Sequence, residues 1–291
     1  MKAFIRYTIL IALFFMAVVV YAQQDTEVES VFKSVKWQIG PCVSVLGDKA
    51  EVRVPEGYIF ADGNDTRRLL EIMHNIPSGI ELGFLAPKTL EWFLIFEFQE
   101  SGYIKDDEKN SLDADAILKS LREGTEKANE EKAKRGWGTM SIVGWQQPPR
   151  YNPATNNLEW AIIGTAKDNT ETFVNWNTRL LGRSGVMSVK LVSDPDSLTK
   201  ILPAYNDLLD TSFSYKAGNR YADFRQGDKV AQYGLSALVL GGAAAVAAKS
   251  GFFKVIWKAL IFVFLAGAGF FKKIFGRKNK EAPQPQNEPN D

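Results

Sequence analysis

ETFVNWNTRLLGRSGVMSVKLV, residues 171–192, reads as two strands around a turn. The runs Glu171–Leu181 and Val186–Val192 are rich in β-branched and aromatic residues, and Gly182-Arg-Ser-Gly185 between them is turn chemistry. On a strand, side chains alternate. Asn175, Asn177 and Arg179 then share one face, and Trp176, Thr178 and Leu180 the other. A polar face lined by Asn and Arg, opposite an apolar one, can bind a ligand or partner; it can equally be a solvated sheet face whose Arg pairs with nearby acids.

Two further strand-like runs precede this pair, at Ser141–Trp145 and Leu158–Gly164. Nearer the N-terminus, Cys42–Leu46 and Ala50–Val54 flank Gly47-Asp48 and read as a hairpin. Tyr58–Phe60 follows, then a helix capped by Asn64 or Asp65 and running to about His74. Trp92–Phe98 is the most strand-like run of the chain. A long helix is expected from about Asp113 to Lys134, apolar at its start and charged beyond Glu123, with Gly136-Trp-Gly138 ending it. Asp194-Pro195 introduces a last helix to about Leu209. The expected fold is α+β, a mainly antiparallel sheet with two or three helices, followed by a C-terminal transmembrane helix region. Residues 23–229 form this extracytoplasmic domain, either whole or as two subdomains split near 135–140.

Charge is distributed unevenly. The chain carries 35 Lys and Arg against 34 Asp and Glu, but residues 1–22 hold two bases and no acid, and residues 230–291 eight bases and three acids. The middle is therefore acidic and the ends basic, which argues against a nucleic-acid partner. One Cys excludes a disulfide framework and one His excludes a paired-His zinc site.

Lys2 and Arg6 precede an uncharged run from Tyr7 to Tyr21, and Val20 and Ala22 place small residues before a cut ahead of Gln23. Residues 1–22 read as a signal peptide, or as an uncleaved anchor; either way the middle is translocated. At the other end, residues 230–271 read as a membrane anchor region. Val230–Ala248 is uncharged, while Ala259–Phe271 is apolar but short for a span. A hairpin would place the basic tail, Lys272 to Lys280, outside; a single span keeps it inside, as the positive-inside rule favours. Gly241, Gly242 and Ala243–Ala245 could let a membrane-protein partner's helix approach closely, or could simply make a weakly apolar span. Residues 272–291 end as a basic, then Pro- and Asn-rich tail.

Catalytic patterns are weak. Ser197-Leu-Thr-Lys200 matches S-x-x-K without its companion motifs. Asp62-Gly-Asn64 opens like a calcium loop but lacks the later ligands. Asp106, Asp107, Glu108, Asp113 and Asp115 could gather a divalent cation, or serve as a solvated loop and a helix start. Cys42 reads as a small buried hydrophobe. No cofactor is implied. Three segments rich in Arg, Asn and aromatics stand out: Gly144–Tyr151, Val174–Arg183 and Gly218–Phe224. Their candidate binding residues are Asn175, Asn177, Arg179, Arg183, Arg150 and Tyr151.

The runs GPCVSVLGDKAEVRVPEGYIF (40–60), GWQQPPRYNPATNNLEWAI (144–162), NWNTRLLGRSGVMSVKLV (175–192) and GNRYADFRQGDKVAQYGLSALVLGG (218–242) resemble the bacterial domain-of-unknown-function family 2167, uncharacterised membrane-anchored proteins. The resemblance extends from about Ile39 to Phe271. It implies an exported domain on a C-terminal anchor in the inner membrane and assigns no functional residue. The expectation is a non-enzymatic binding or scaffold domain facing the periplasm, with a ligand sensor or hydrolase using the Asn/Arg/Trp surface as the alternative.

Overall fold

The computed structural model of the 291-residue chain describes residues 30–166 and 172–240. The chain falls into two compact units, Met1–Lys36 and Trp37–Asp291. Residues 30–34 of the first are helical. The expected signal segment 1–22, and the expected membrane region and tail beyond Leu240, lie outside the described residues.

The second unit begins with a two-residue strand, β1 (Gln38–Ile39). The expected hairpin follows as β2 (Cys42–Leu46) and β3 (Ala50–Val54), with Leu46 opposite Ala50. β4 (Tyr58–Asp62) ends on Asp62, whose carboxylate accepts the amides of Asn64 and Asp65 and so caps α1 (Gly63–Ile72). Asn64 and Asp65, the expected caps, are therefore the donors, because Asp62 is the residue still in extended backbone. β5 (Glu81–Pro87) has no counterpart in the sequence reading, and β6 (Phe93–Gln99) follows it. Asp113 accepts the amide of Ala116 and caps α2 (Ala114–Lys134). A meander then runs through β7 (Met140–Asn152), β8 (Asn157–Ala166), β9 (Thr172–Leu181) and β10 (Val186–Ser193). Asp194 accepts the amide of Ser197 ahead of α3 (Leu198–Asp207), and the described residues end with β11 (Phe213–Tyr215) and α4 (Leu235–Val239).

Eight strands form one antiparallel sheet in the order β1-β4-β5-β6-β10-β9-β8-β7, and β11-β3-β2 form a second. β6 lies beside β10 along its length, Phe93 opposite Val192 and Gln99 opposite Val186. That seam joins strands from either side of residues 135–140. The subdomain split considered there does not exist; α2 connects two parts of one sheet. β7 is an edge strand, which suits Pro148 and Pro149, since an edge can spare two ladder donors.

Every residue of β10 is buried, so both faces of the large sheet are covered. On one face, Phe60, Leu85, Leu94, Phe96, Val189 and Leu191 pack against Leu46, Val52 and Val54 of the small sheet and Ile201 and Tyr205 of α3. Cys42 is half-buried at the rim of this cluster, its thiol free. On the other face, Leu158, Trp160, Ile162 and Leu181 pack against Ile117 and Leu121 of α2. Leu235, Leu238 and Val239 of α4 complete that second cluster, each almost fully buried. Burying one such side chain stabilises by roughly 1.5–3 kcal/mol.

Residues 230–240, the start of the expected membrane region, pack on the domain. The segment taken as the start of a membrane span is, up to Leu240, part of the domain. Val230 bridges Tyr103, and the Ala231 amide donates to the Tyr103 carbonyl at 2.8 Å. Glu108 accepts the amide of Ser236 at 2.8 Å. The uncharged run is apolar enough for either environment, and the internal hydrophobic face takes it first. No helix among the described residues is long and apolar enough to cross a membrane.

Candidate binding cleft

The six candidate residues separate into three places. Asn175, Asn177 and Arg179 share a face of β9, as alternation requires, but that face is neither solvated nor open. Asn175 and Asn177 are each 4% exposed. They belong to a polar strip crossing the centre of the sheet: Arg179 is opposite Ser188, Ser188 opposite Glu97, and Asn177 opposite Lys190. Lys190 and Glu97 form a buried ion pair at 2.7 Å. The Arg179 guanidinium lies 4.6 Å over the Trp160 ring. Burial pulls it down to about 10, against the charge of Glu97, which raises it. Its Nη1 and the indole N–H of Trp160 are enclosed without a hydrogen-bond partner among the described residues. On the opposite face Thr178 and Tyr205 share a hydrogen bond of 2.5 Å.

Arg150 and Tyr151 sit near the β7–β8 turn. Arg150 is mostly exposed, 3.9 Å from Glu159. Tyr151 is buried, and its hydroxyl is 3.2 Å from the Asn156 side-chain oxygen. Burial and then the charge of Asp106 push the Tyr151 phenol up to about 12. Tyr103 stacks on Tyr221, centroids 4.4 Å apart, and lies tilted against Phe224 at 4.1 Å.

Arg183 is elsewhere, at a cleft of about 380 Å³ lined by Arg183 and Ser184 of the β9–β10 turn together with Lys49, Glu100, Gly102, Gly218, Asn219, Asp228 and Lys229. The turn between β9 and β10 docks against the segment after β11: the Arg183 amide donates to the Asn219 carbonyl at 2.9 Å, and Gly182 bridges Arg220. Glycine is required at 182 by this approach, since a Cβ there would meet the Tyr215 ring at 2.9 Å. The guanidinium then holds Asp228 in a fork, Nε and Nη2 each 2.7 Å from a carboxylate oxygen. That fork, with the Arg225 amide, holds the Asp228 carboxyl down at about 2. Lys49 lies 3.5 Å from Glu100 and 3.2 Å from Asp48. Two of the three motif segments thus meet here, those ending at Arg183 and beginning at Gly218. Lys49, Glu100, Gly102, Asp228 and Lys229, which the sequence reading did not single out as site residues, complete the lining.

Several other motifs resolve into structural roles. Asp62 and Asp113 are helix caps, Glu108 holds the α4 start and Asp106 pairs with Lys109 at 3.1 Å. Among the described residues no group of three or more His, Cys, Asp or Glu is placed to hold a metal ion. His74 follows α1 with its ring stacked on Trp137 at 5.4 Å.

Architecture and site together define an α+β domain with a polar cleft at the end of its central strands. The chain belongs to the family described as protein of unknown function DUF2167, whose sequence model matches residues 39–271. Among solved structures it is similar to cyanobacterial PsbP (CyanoP) from Synechocystis sp. PCC 6803, at 14% identity over 61% of this chain and 94% of that one, with a TM-score of 0.37. It is also similar to the Ran-binding protein Mog1p of Saccharomyces cerevisiae, at 11% identity over 65% of this chain and 100% of that one, with a TM-score of 0.31. No curated protein matches the sequence.

Proposed function

We propose that the protein is a non-enzymatic binding domain of the bacterial envelope, exported by residues 1–22, facing the periplasm and anchored in the inner membrane by the apolar region after Leu240. The basic residues Lys2 and Arg6, and Lys272 to Lys280, support that orientation by remaining on the cytoplasmic side. Binding takes place at the Arg183 cleft. The observation that carries this reading is the convergence there of Arg183 and Ser184 of the β9–β10 turn with Gly218, Asn219, Asp228 and Lys229 around a half-open cleft of about 380 Å³. A concavity of that size lies within the roughly 300–1,000 Å³ range of ligand sites. The polar strip with Asn175, Asn177 and Arg179 acts as the rigid support of the strands that present the turn.

A photo-crosslinking side chain placed at Asn219 in the full-length membrane protein, with a second placed at exposed Glu71 on α1 as control, tests the site. An adduct at 219 that is absent at 71 is expected. Equal labelling at both positions, or none at 219, overturns the assignment.

A further inference from the structure

The edges of the two sheets are guarded unequally. An edge strand offers unpaired amides and carbonyls to any other strand, and proteins blunt it with charge, proline, bulges or shortness. β7, at one end of the large sheet, carries Pro148, Pro149 and Arg150 and shifts register three times against β8. β1, at the other end, has two residues, and β11 at one edge of the small sheet has three. β2, the other edge of the small sheet, has none of these devices. Its five residues, Cys42-Val-Ser-Val-Leu46, include no charge and no proline, and they pair with β3 without a bulge. β3 is its one neighbour in the sheet, and among the described residues no backbone hydrogen bond outside that ladder involves Cys42–Leu46.

The side chains of β2 alternate in and out. Ser44 and Leu46 are buried, Leu46 in the core under the small sheet and Ser44 donating to the Gln38 side-chain oxygen at 2.6 Å. Val43 and Val45 point the other way and are 57% and 63% exposed, more than any other large apolar side chain among the described residues. On the same outer face, Arg53 of β3 lies opposite Val43, and Glu51 lies opposite Val45. The hairpin thus shows two valines at its open edge, each backed by a charge, and the two charges differ in sign.

We infer that β2 pairs antiparallel with β2 of a second copy of this chain, about a twofold axis at Ser44, so that two three-stranded sheets become one of six strands. Charge selects that axis. Centred on Val43, a row across the joined sheet would run Arg53, Val43, Val43, Arg53; centred on Val45, it would run Glu51, Val45, Val45, Glu51. Each sets like charges across the seam. A shift of one residue would set the exposed valines against inward-facing residues. Centred on Ser44, both rows are the same: Arg53 and Val43 of one copy, then Val45 and Glu51 of the other. The valines meet as directly opposed pairs, and each row ends in opposite charges. Three strand spacings, about 14 Å, separate those two backbones, a span that Arg and Glu side chains shorten by leaning over the valines. All five residues then pair, and Pro41, which has no amide to give, falls outside the ladder. The edge is therefore complementary to itself, as a twofold contact requires. Five-residue strands bury less than the roughly 1,200–2,000 Å² of a standard interface, so the association is weak and reversible.

Covalent capture suits a weak contact. Full-length protein in non-ionic detergent, with Cys42→Ala throughout, receives one new cysteine as Val43→Cys or Val45→Cys, the two chains carrying tags of different length. Directly opposed positions lie about 4.5–5.5 Å apart and diagonal ones about 7–8 Å, whereas a disulfide spans Cα separations up to about 6.8 Å. Mild oxidation of the mixture is expected to join 43 to 45 well above 43 to 43 or 45 to 45. Arg53→Glu in both chains, or Glu51→Arg in both, is expected to lower the mixed product to the level of the same-site products, and the two reversals together to restore it. Equal yields of all three products, no mixed product, or a mixed product indifferent to the single reversals overturns the inference. Capture of a different protein by Val45→Cys in native membranes, without the 43–45 product, assigns the edge to a foreign strand and likewise overturns self-pairing.

Discussion

Arg183 and Asp228, 45 residues apart, are joined by two parallel hydrogen bonds of 2.7 Å each. The fork ties the turn after β9 to the segment that leads into α4, so one side-chain pair holds both walls of the cleft. Asp228→Asn leaves shape nearly unchanged but removes the charge-assisted pairing.

The pH dependence of this pair has a definite sign. Asp228 is held at about 2 in the folded chain against 3.8 ordinarily, so its contribution is complete above 3.8 and is lost as pH falls through 2. The denaturation midpoint of the native protein is expected to exceed that of Asp228→Asn by a constant margin from neutrality down to about pH 4, and the margin to shrink below it. A margin that already vanishes at about pH 6 would mean that the fork does not form.

Leu238 tests the packing of residues 230–240 on the domain. It is 1% exposed in the second core cluster. Leu238→Ala in the full-length protein is expected to cost about 2–5 kcal/mol of stability, as for other core truncations. Were residues 230–248 a lipid-embedded span instead, the substitution would leave the denaturation of the domain unchanged. For the same reason a chain cut after Gly227 is expected to aggregate, losing Leu235, Leu238 and Val239 together.

Much of the fold was legible because its signals are local. The β2–β3 hairpin needs only Gly47-Asp48 between two alternating runs, and α2 needs only Asp113 and its apolar first turns. β5 was hidden because Glu81–Pro87 has Gly83 and Pro87 inside it and a single polar residue at its start. α4 was misread because Leu235, Leu238 and Val239 lie in an uncharged Gly/Ala-rich run, where composition does not distinguish a core from a bilayer. At the site, the alternation of Asn175, Asn177 and Arg179 was readable, but not what lies beside them: β10, whose Ser188 and Lys190 flank them, pairs in turn with β6, some ninety residues earlier. The pairing of Arg183 with Asp228 is likewise non-local, and no spacing rule links the two.

The Lys190–Glu97 pair under the central strands carries a prediction with a built-in control. Removing one partner strands a buried charge, so Lys190→Met is expected to destabilise by about 3–5 kcal/mol. Combining it with Glu97→Leu is expected to recover most of that loss, since a packed apolar pair avoids desolvating either charge. Urea denaturation of the single and double variants checks it; additive losses would show that the two side chains do not interact.

Lys132, buried against α1's end, donates to the His74 carbonyl at 3.1 Å, and burial lowers its ammonium to about 8 from 10.5. The folded chain releases this proton before the unfolded chain does, so unfolding takes up a proton between those two values. The destabilising contribution is full below about 8 and is relieved as pH rises towards 10.5. Relative to Lys132→Met, the native protein is expected to gain thermal stability from about pH 7 to about pH 10. A flat difference would place the ammonium in solvent.

Photo-crosslinking at Asn219 in the full-length membrane protein, read against the control at Glu71, tests the cleft most directly. The account predicts an adduct at 219 and none at 71. Equal labelling at both positions, or none at 219, would contradict it.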